Sequence, residues 1–147
     1  MSVSPFPEIN VSPRILLGPG PSMADPRVLK AMSTPLIGHL DPEFLVLMNN
    51  MQAMLKQVMQ TENPITLAIA GTGSASMEAA FANMLEPDDE ILICINGYFG
   101  HRMVDMAQRY GAVVHTLSVP WGEVFQPQQI EDALRAHPNV RIVAVVH

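Results

Sequence analysis

The stretch Ala70-Gly71-Thr72-Gly73-Ser74-Ala75-Ser76 follows an apolar run and leads into a helix-like one. Gly71 and Gly73 are free to adopt positive φ and let the backbone approach a ligand closely. Thr72, Ser74 and Ser76 offer three hydroxyls, and Ser74 stands where an N-cap would open a helix from Ala75. Free N–H groups at a helix start, together with the positive end of its dipole, suit a phosphate. The same spacing also makes a plain strand-to-helix turn. Two nucleotide patterns fail here. No Gly-Lys-Ser/Thr follows, Ser76 occupies the third glycine position of the dinucleotide fingerprint, and the next strand does not end in an acid. That strand ends in Asn96-Gly97-Tyr98-Phe99-Gly100-His101-Arg102, expected as a tight turn. An aromatic at that rim can stack on a flat ring whose phosphate sits one crossover away, although either aromatic alone would serve as hydrophobic cover. A small phosphorylated aromatic cofactor fits the pair better than a nucleotide does.

Those residues need a scaffold, and the hydrophobic pattern predicts one. Strand-like runs are Ile65–Ala70, Ile91–Ile95, Val113–Val119 and Val140–Val146; helix-like runs between them are Ala75–Leu85, His101–Tyr110 and Pro127–Ala136. Alternation of this kind implies right-handed crossovers, an α/β fold with a mostly parallel sheet and flanking helices, and ligands at the carboxyl ends of the strands. Upstream, Asp25-Pro26 and Asp41-Pro42 each supply an N-cap and a first-turn proline. A short helix over Pro26–Met32 follows the first, and a helix of about five turns follows the second. Along the longer helix Phe44, Leu47, Met48, Met51, Met54, Leu55, Val58 and Met59 form one apolar stripe, expected to pack against the protein body or a subunit partner.

Composition narrows the function classes. The 147 residues are 48% hydrophobic and 15% charged, which is globular rather than disordered. A formal charge of −6 with no basic cluster argues against nucleic acid and against an acidic membrane surface. One cysteine, Cys94, sits inside Ile91-Leu92-Ile93-Cys94-Ile95, so a core thiol in a reducing compartment is expected and a disulfide framework is not. The start carries no charged-then-apolar signal pattern, which makes the cytoplasm the default location. The closing run Val140–His147 is apolar enough to need burial on both faces, which suggests the N-terminal part of a longer polypeptide.

The segments "LLGPGPS", "GHLDPEF", "QTEN", "GTGSASMEAA", "EPDDEILICINGYFGHR" and "VVH", in this order, resemble the class V pyridoxal-phosphate aminotransferases, alanine–glyoxylate and serine–pyruvate branch. The likeness covers nearly all of the chain after the first dozen residues. It implies fold type I, with residues 1–24 as an N-terminal arm carrying the GPGPS loop and residues 25–147 as the first part of the cofactor-binding large domain. It further implies a homodimer with active sites shared between subunits, and some members are peroxisomal. By position, Thr72, Gly73 and Ser74 match the phosphate-binding turn, with Ser74 where some members have histidine. Phe99 matches the aromatic that stacks on the pyridine ring, and Gly20 matches a backbone position on the substrate side. His147 ends the strand before a cofactor loop and is expected to be structural. Glu78 reads as helix-end electrostatics or packing.

The resemblance also says what to look for and not find. The chemistry needs a Schiff-base lysine, an acid for the pyridine nitrogen and usually an arginine for the substrate carboxylate, all of which come later in the family than His147. Lys30 and Lys56 are the two lysines of the chain, and both are expected as surface charge. The expectation is therefore a ping-pong transamination by the full-length parent, with pyridoxal 5′-phosphate as cofactor. Alanine or serine would be the donor and glyoxylate or pyruvate the acceptor, while the 147 residues alone would be inactive. Ureidoglycine–glyoxylate and pyridoxamine–pyruvate aminotransferases are the near alternatives, the stretch "VPWGEVFQP" resembling the former. A cysteine desulfurase or lyase of the same class would need a catalytic cysteine or a different pocket, and Cys94 in mid-strand is badly placed. A phosphate-binding or dimerisation piece without catalysis is the alternative of another class.

Overall fold

The run Ile91 to Ile95 contains no polar side chain, and a strand of that kind has to be covered on both faces. In the computed structural model, which describes residues 9–146, all five of these residues are buried. The first eight residues and His147, including the role expected for His147, lie outside the described residues. The elements in chain order are α1 (Pro26–Met32), α2 (Pro42–Val58), α3 (Gly73–Met84), β1 (Glu90–Ile95), α4 (Tyr98–Arg109), β2 (Val113–Ser118), α5 (Pro127–Ala136) and β3 (Val140–Ala144). The chain divides into two compact units between Thr66 and Leu67.

In the first unit the two Asp-Pro devices work as expected. The Asp25 carboxylate accepts from Arg27 N and the Asp41 carboxylate from Glu43 N, each at 2.8 Å. Both satisfy a free first-turn donor. The apolar stripe of α2 is narrower than the pattern implies. Phe44, Met48, Met51 and Leu55 are half-buried, whereas Leu47, Met54, Val58 and Met59 are exposed.

The second unit is a three-stranded, all-parallel sheet in the order β2-β1-β3. Ile91, Ile93 and Ile95 form one face of β1 and join Phe81, Leu85, Met103 and Ala107 in the core. Leu92 and Cys94 point to the other face, because successive side chains alternate. The chain moves from β1 to β2 on one side and then to β3 on the other. With right-handed crossovers, α4 and α5 therefore cover opposite faces. Reversal of strand order puts the topological switch point at the carboxyl ends of β1 and β3. Burial also pushes the Cys94 thiol pKa up, in keeping with the core thiol expected.

One expected strand is absent. Ile65–Ala70 pairs with no strand among the described residues, and Ile65, Leu67 and Ile69 are exposed. A strand exists through its ladder, and an alternating apolar run without a neighbour stays open chain.

α4 lies close to β1 because position 100 has no side chain. A Cβ on Gly100 would stand 2.9 Å from Ile95 Cα and 3.3 Å from the Cys94 carbonyl oxygen. Gly100, Met103 and Ala107, at i, i+3 and i+7, are the buried stripe of this helix. At the amino ends of the strands, His115 Nε2 lies 2.8 Å from Glu90 Oε2, and the His115 ring stacks on His137 with centroids 3.7 Å apart. The bond to His115, supported by Asn139, lowers the Glu90 pKa below the usual glutamate value.

Two outcomes are expected. Gly100→Ala gains at most about 1 kcal/mol of helix propensity but forces backbone apart, so denaturant unfolding should show a net loss of about 1–2 kcal/mol. Glu90 has a depressed folded pKa, so its contribution is complete above the ordinary glutamate value and is lost as pH falls through the folded one. The stability gap between wild type and Glu90→Gln should accordingly shrink on acidification below the carboxylate range, as read from urea midpoints.

Candidate functional site

The turn before α3 departs from the expected cap. Thr72, not Ser74, is the N-cap: its backbone is extended and its Oγ1 accepts from Ala75 N at 3.4 Å. The helix starts two residues early because Gly73 and Ser74 already have helical geometry and occupy the first two positions. Helix geometry leaves their N–H groups without an intrahelical acceptor. Neither Gly71 nor Gly73 has positive φ; among the described glycines that conformation falls to Gly111 and Gly122. Gly71 is needed for space instead, since a Cβ there would lie 2.9 Å from Ala75 Cβ. At Gly73 a Cβ would meet nothing within 4 Å, so the backbone is open to an approaching group.

The three hydroxyls separate into different tasks. Thr72 caps. Ser76 turns back, its Oγ donating to the Thr72 carbonyl at 3.5 Å. Ser74 is half-buried, and its Oγ accepts from Arg102 Nη1.

Arg102 joins this turn to the other expected element. Tyr98 and Phe99 form the first turn of α4 rather than a separate loop, behind Gly97 in extended conformation. Arg102 Nη2 donates to the Tyr98 hydroxyl at 3.1 Å. The guanidinium carbon lies 5.0 Å from the Tyr98 ring centroid and 5.3 Å from that of Phe99. The two rings meet edge to face at 5.6 Å. Phe99 is half-buried and Tyr98 exposed. Ser74 and Phe99 are thus gathered around one cation. The signal for Arg102 was a basic residue one turn after two aromatics, at i+4 and i+3 spacing, which composition alone does not distinguish from surface charge.

A groove of about 320 Å³ runs beside the pair, lined by Ser74, Glu78, Arg102, Asp105, Arg109 and Tyr110 among others. Arg109 is neutralised by Asp105 at 2.9 Å. Glu78 is exposed, as a helix-surface acid would be. At the switch point, Asn96 Nδ2 donates to the Glu123 carbonyl at 3.5 Å, which ties the loop containing Trp121 and Gly122 to the end of β1. The other residues singled out lie in the first unit. Gly20 is exposed in the bend of residues 18–21, Lys30 is exposed and Lys56 is half-buried rather than fully solvated.

The family model described as "Aminotransferase class-V" matches residues 14–147. The chain belongs to the class V aminotransferases. It is 46% identical over 91% of its length to the (S)-ureidoglycine–glyoxylate transaminase of Bacillus subtilis, and 43% identical over 91% to the alanine–glyoxylate aminotransferase of Drosophila melanogaster. Among solved structures, the alanine–glyoxylate aminotransferase of a Nostoc species shares 53% identity over the whole chain with a TM-score of 0.84. This class V chain spans about a third of the curated relatives, 32% and 34% respectively, and 38% of the Nostoc structure. The expected fold type I architecture, an α/β layer with a parallel sheet and flanking helices, agrees with that likeness.

Losing the α3 cap should cost about 1 kcal/mol, so Thr72→Ala lowers unfolding free energy while Thr72→Ser keeps most of it, as measured by denaturant titration.

Proposed function

We propose that the full-length parent of this chain is a pyridoxal-phosphate-dependent aminotransferase, moving an amino group from a small amino acid to a 2-oxo acid in two half-reactions. The observation that carries this reading is the convergence of Ser74 and Phe99 on Arg102 beside the first turn of α3. The donor set fits such a cofactor. Gly73 is open to approach, two first-turn N–H groups are free of helix bonds, and a half-buried aromatic lies one crossover away. When bound, pyridoxal 5′-phosphate supplies an electron sink for the amino-acid carbon.

In this reading Thr72, Gly73 and Ser74 hold the phosphate, the Phe99 ring covers one face of the pyridine, and Gly20 lines the substrate side. The first two tasks orient the ring and exclude water from one of its faces. Residues 1–24 serve as an arm and residues 25–147 as the first part of the large domain. The lysine, the acid for the ring nitrogen and the arginine for the substrate carboxylate belong to the rest of the parent, which acts as a homodimer. No helix among the described residues is long and apolar enough to cross a membrane, and the lone buried thiol suits a reducing compartment such as the cytoplasm.

The relatives named above share glyoxylate in their names, which supports glyoxylate as the acceptor. Alanine or serine is the donor we favour. (S)-Ureidoglycine is the second reading, supported by the identity to the Bacillus subtilis protein and by the "VPWGEVFQP" stretch now seen beside Asn96. A donor panel of alanine, serine, (S)-ureidoglycine and pyridoxamine against glyoxylate and pyruvate decides between them. The full-length protein should change its cofactor absorbance with alanine or serine and turn over with glyoxylate. Absence of retained cofactor would refute the reading, and the 147 residues alone should give no turnover.

A further inference from the structure

Arginines in the second unit follow a pattern that one of them breaks. Arg109 meets Asp105, Arg135 meets Glu131 and Asp132, and Arg141 meets Asp89, each within 4 Å. Arg102 is half-buried and faces no carboxylate at ion-pair distance among the described residues. Its acceptors are two neutral hydroxyls and its neighbours two ring faces. A full positive charge is therefore left beside the positive end of α3, an arrangement that repels itself until an anion arrives.

The direction of the hydrogen bond matters as much as the charge. A guanidinium has only donors, so Ser74 Oγ must accept from Arg102. The single proton of that hydroxyl is then free to be given elsewhere. The same arginine also bridges 28 residues of sequence, from α4 back to the first turn of α3, and its guanidinium carbon lies over the Phe99 ring.

We infer that Arg102 is a positioning residue for the phosphate of the cofactor. It fixes Ser74 as a hydrogen-bond donor to that phosphate and holds the Phe99 ring in register with the turn. This rests on the cofactor reading of the preceding subsection.

The test measures binding by the cofactor-free full-length protein, with pyridoxal 5′-phosphate and its unphosphorylated form, pyridoxal, as probes. Arg102→Gln should weaken the phosphorylated probe by about tenfold or more, the usual effect of losing a charge-assisted hydrogen bond, and weaken pyridoxal much less. Ser74→Ala should show the same selectivity, and combining it with Arg102→Gln should cost less than the sum of the two single changes, because both act through the Arg102–Ser74 bond. Arg102→Lys, which keeps the charge but not the fork, should fall between wild type and Arg102→Gln. Equal weakening of both probes, or no weakening, overturns the inference; if Arg102→Gln does not fold, Ser74→Ala with wild-type selectivity overturns it. A wild-type protein that binds neither probe refutes the cofactor reading instead, which is a separate result.

Discussion

The missing side chain at Gly100 governs how the sheet presents its chemistry. Because no Cβ stands between them, the α4 backbone can lie against Ile95 and the Cys94 carbonyl, immediately after β1 ends. Close contact there fixes where the first turn of α4 projects, and with it Tyr98, Phe99 and Arg102. The geometry of the site is in that sense a packing consequence of the core.

Several elements are readable from sequence because the cue is local. Asp-Pro marks the starts of α1 and α2, and Gln126-Pro127 marks that of α5, where the Gln129 side-chain carbonyl accepts from Gln126 N at 2.8 Å. β1 declares itself through five consecutive apolar residues. The run Ile65–Ala70 has an equally good local pattern and still forms no strand, since pairing is not a local property. The α2 stripe is partly legible for a related reason: periodicity names the candidate face, whereas burial depends on what lies near it.

The site divides along the same line. Its residue types at the glycine turn are visible in "AGTGSAS", yet which hydroxyl caps, which folds back and which stays available is decided by neighbours up to 28 residues away. Thr72 takes the cap because the helix begins at Gly73, and Ser74 is then placed one position inside the helix, where a distant arginine reaches it. Gly71 illustrates a similar shift of cause. Its glycine is required by the nearness of Ala75 and not by an unusual φ, which a sequence motif cannot tell apart.

Cys94 sits in the middle of the central strand with its sulfur enclosed and its ionisation suppressed. Since the thiolate is the reactive species, an alkylating reagent meets it only when the sheet comes apart. The rate at which that sulfur is alkylated therefore reports how often the structure around it opens.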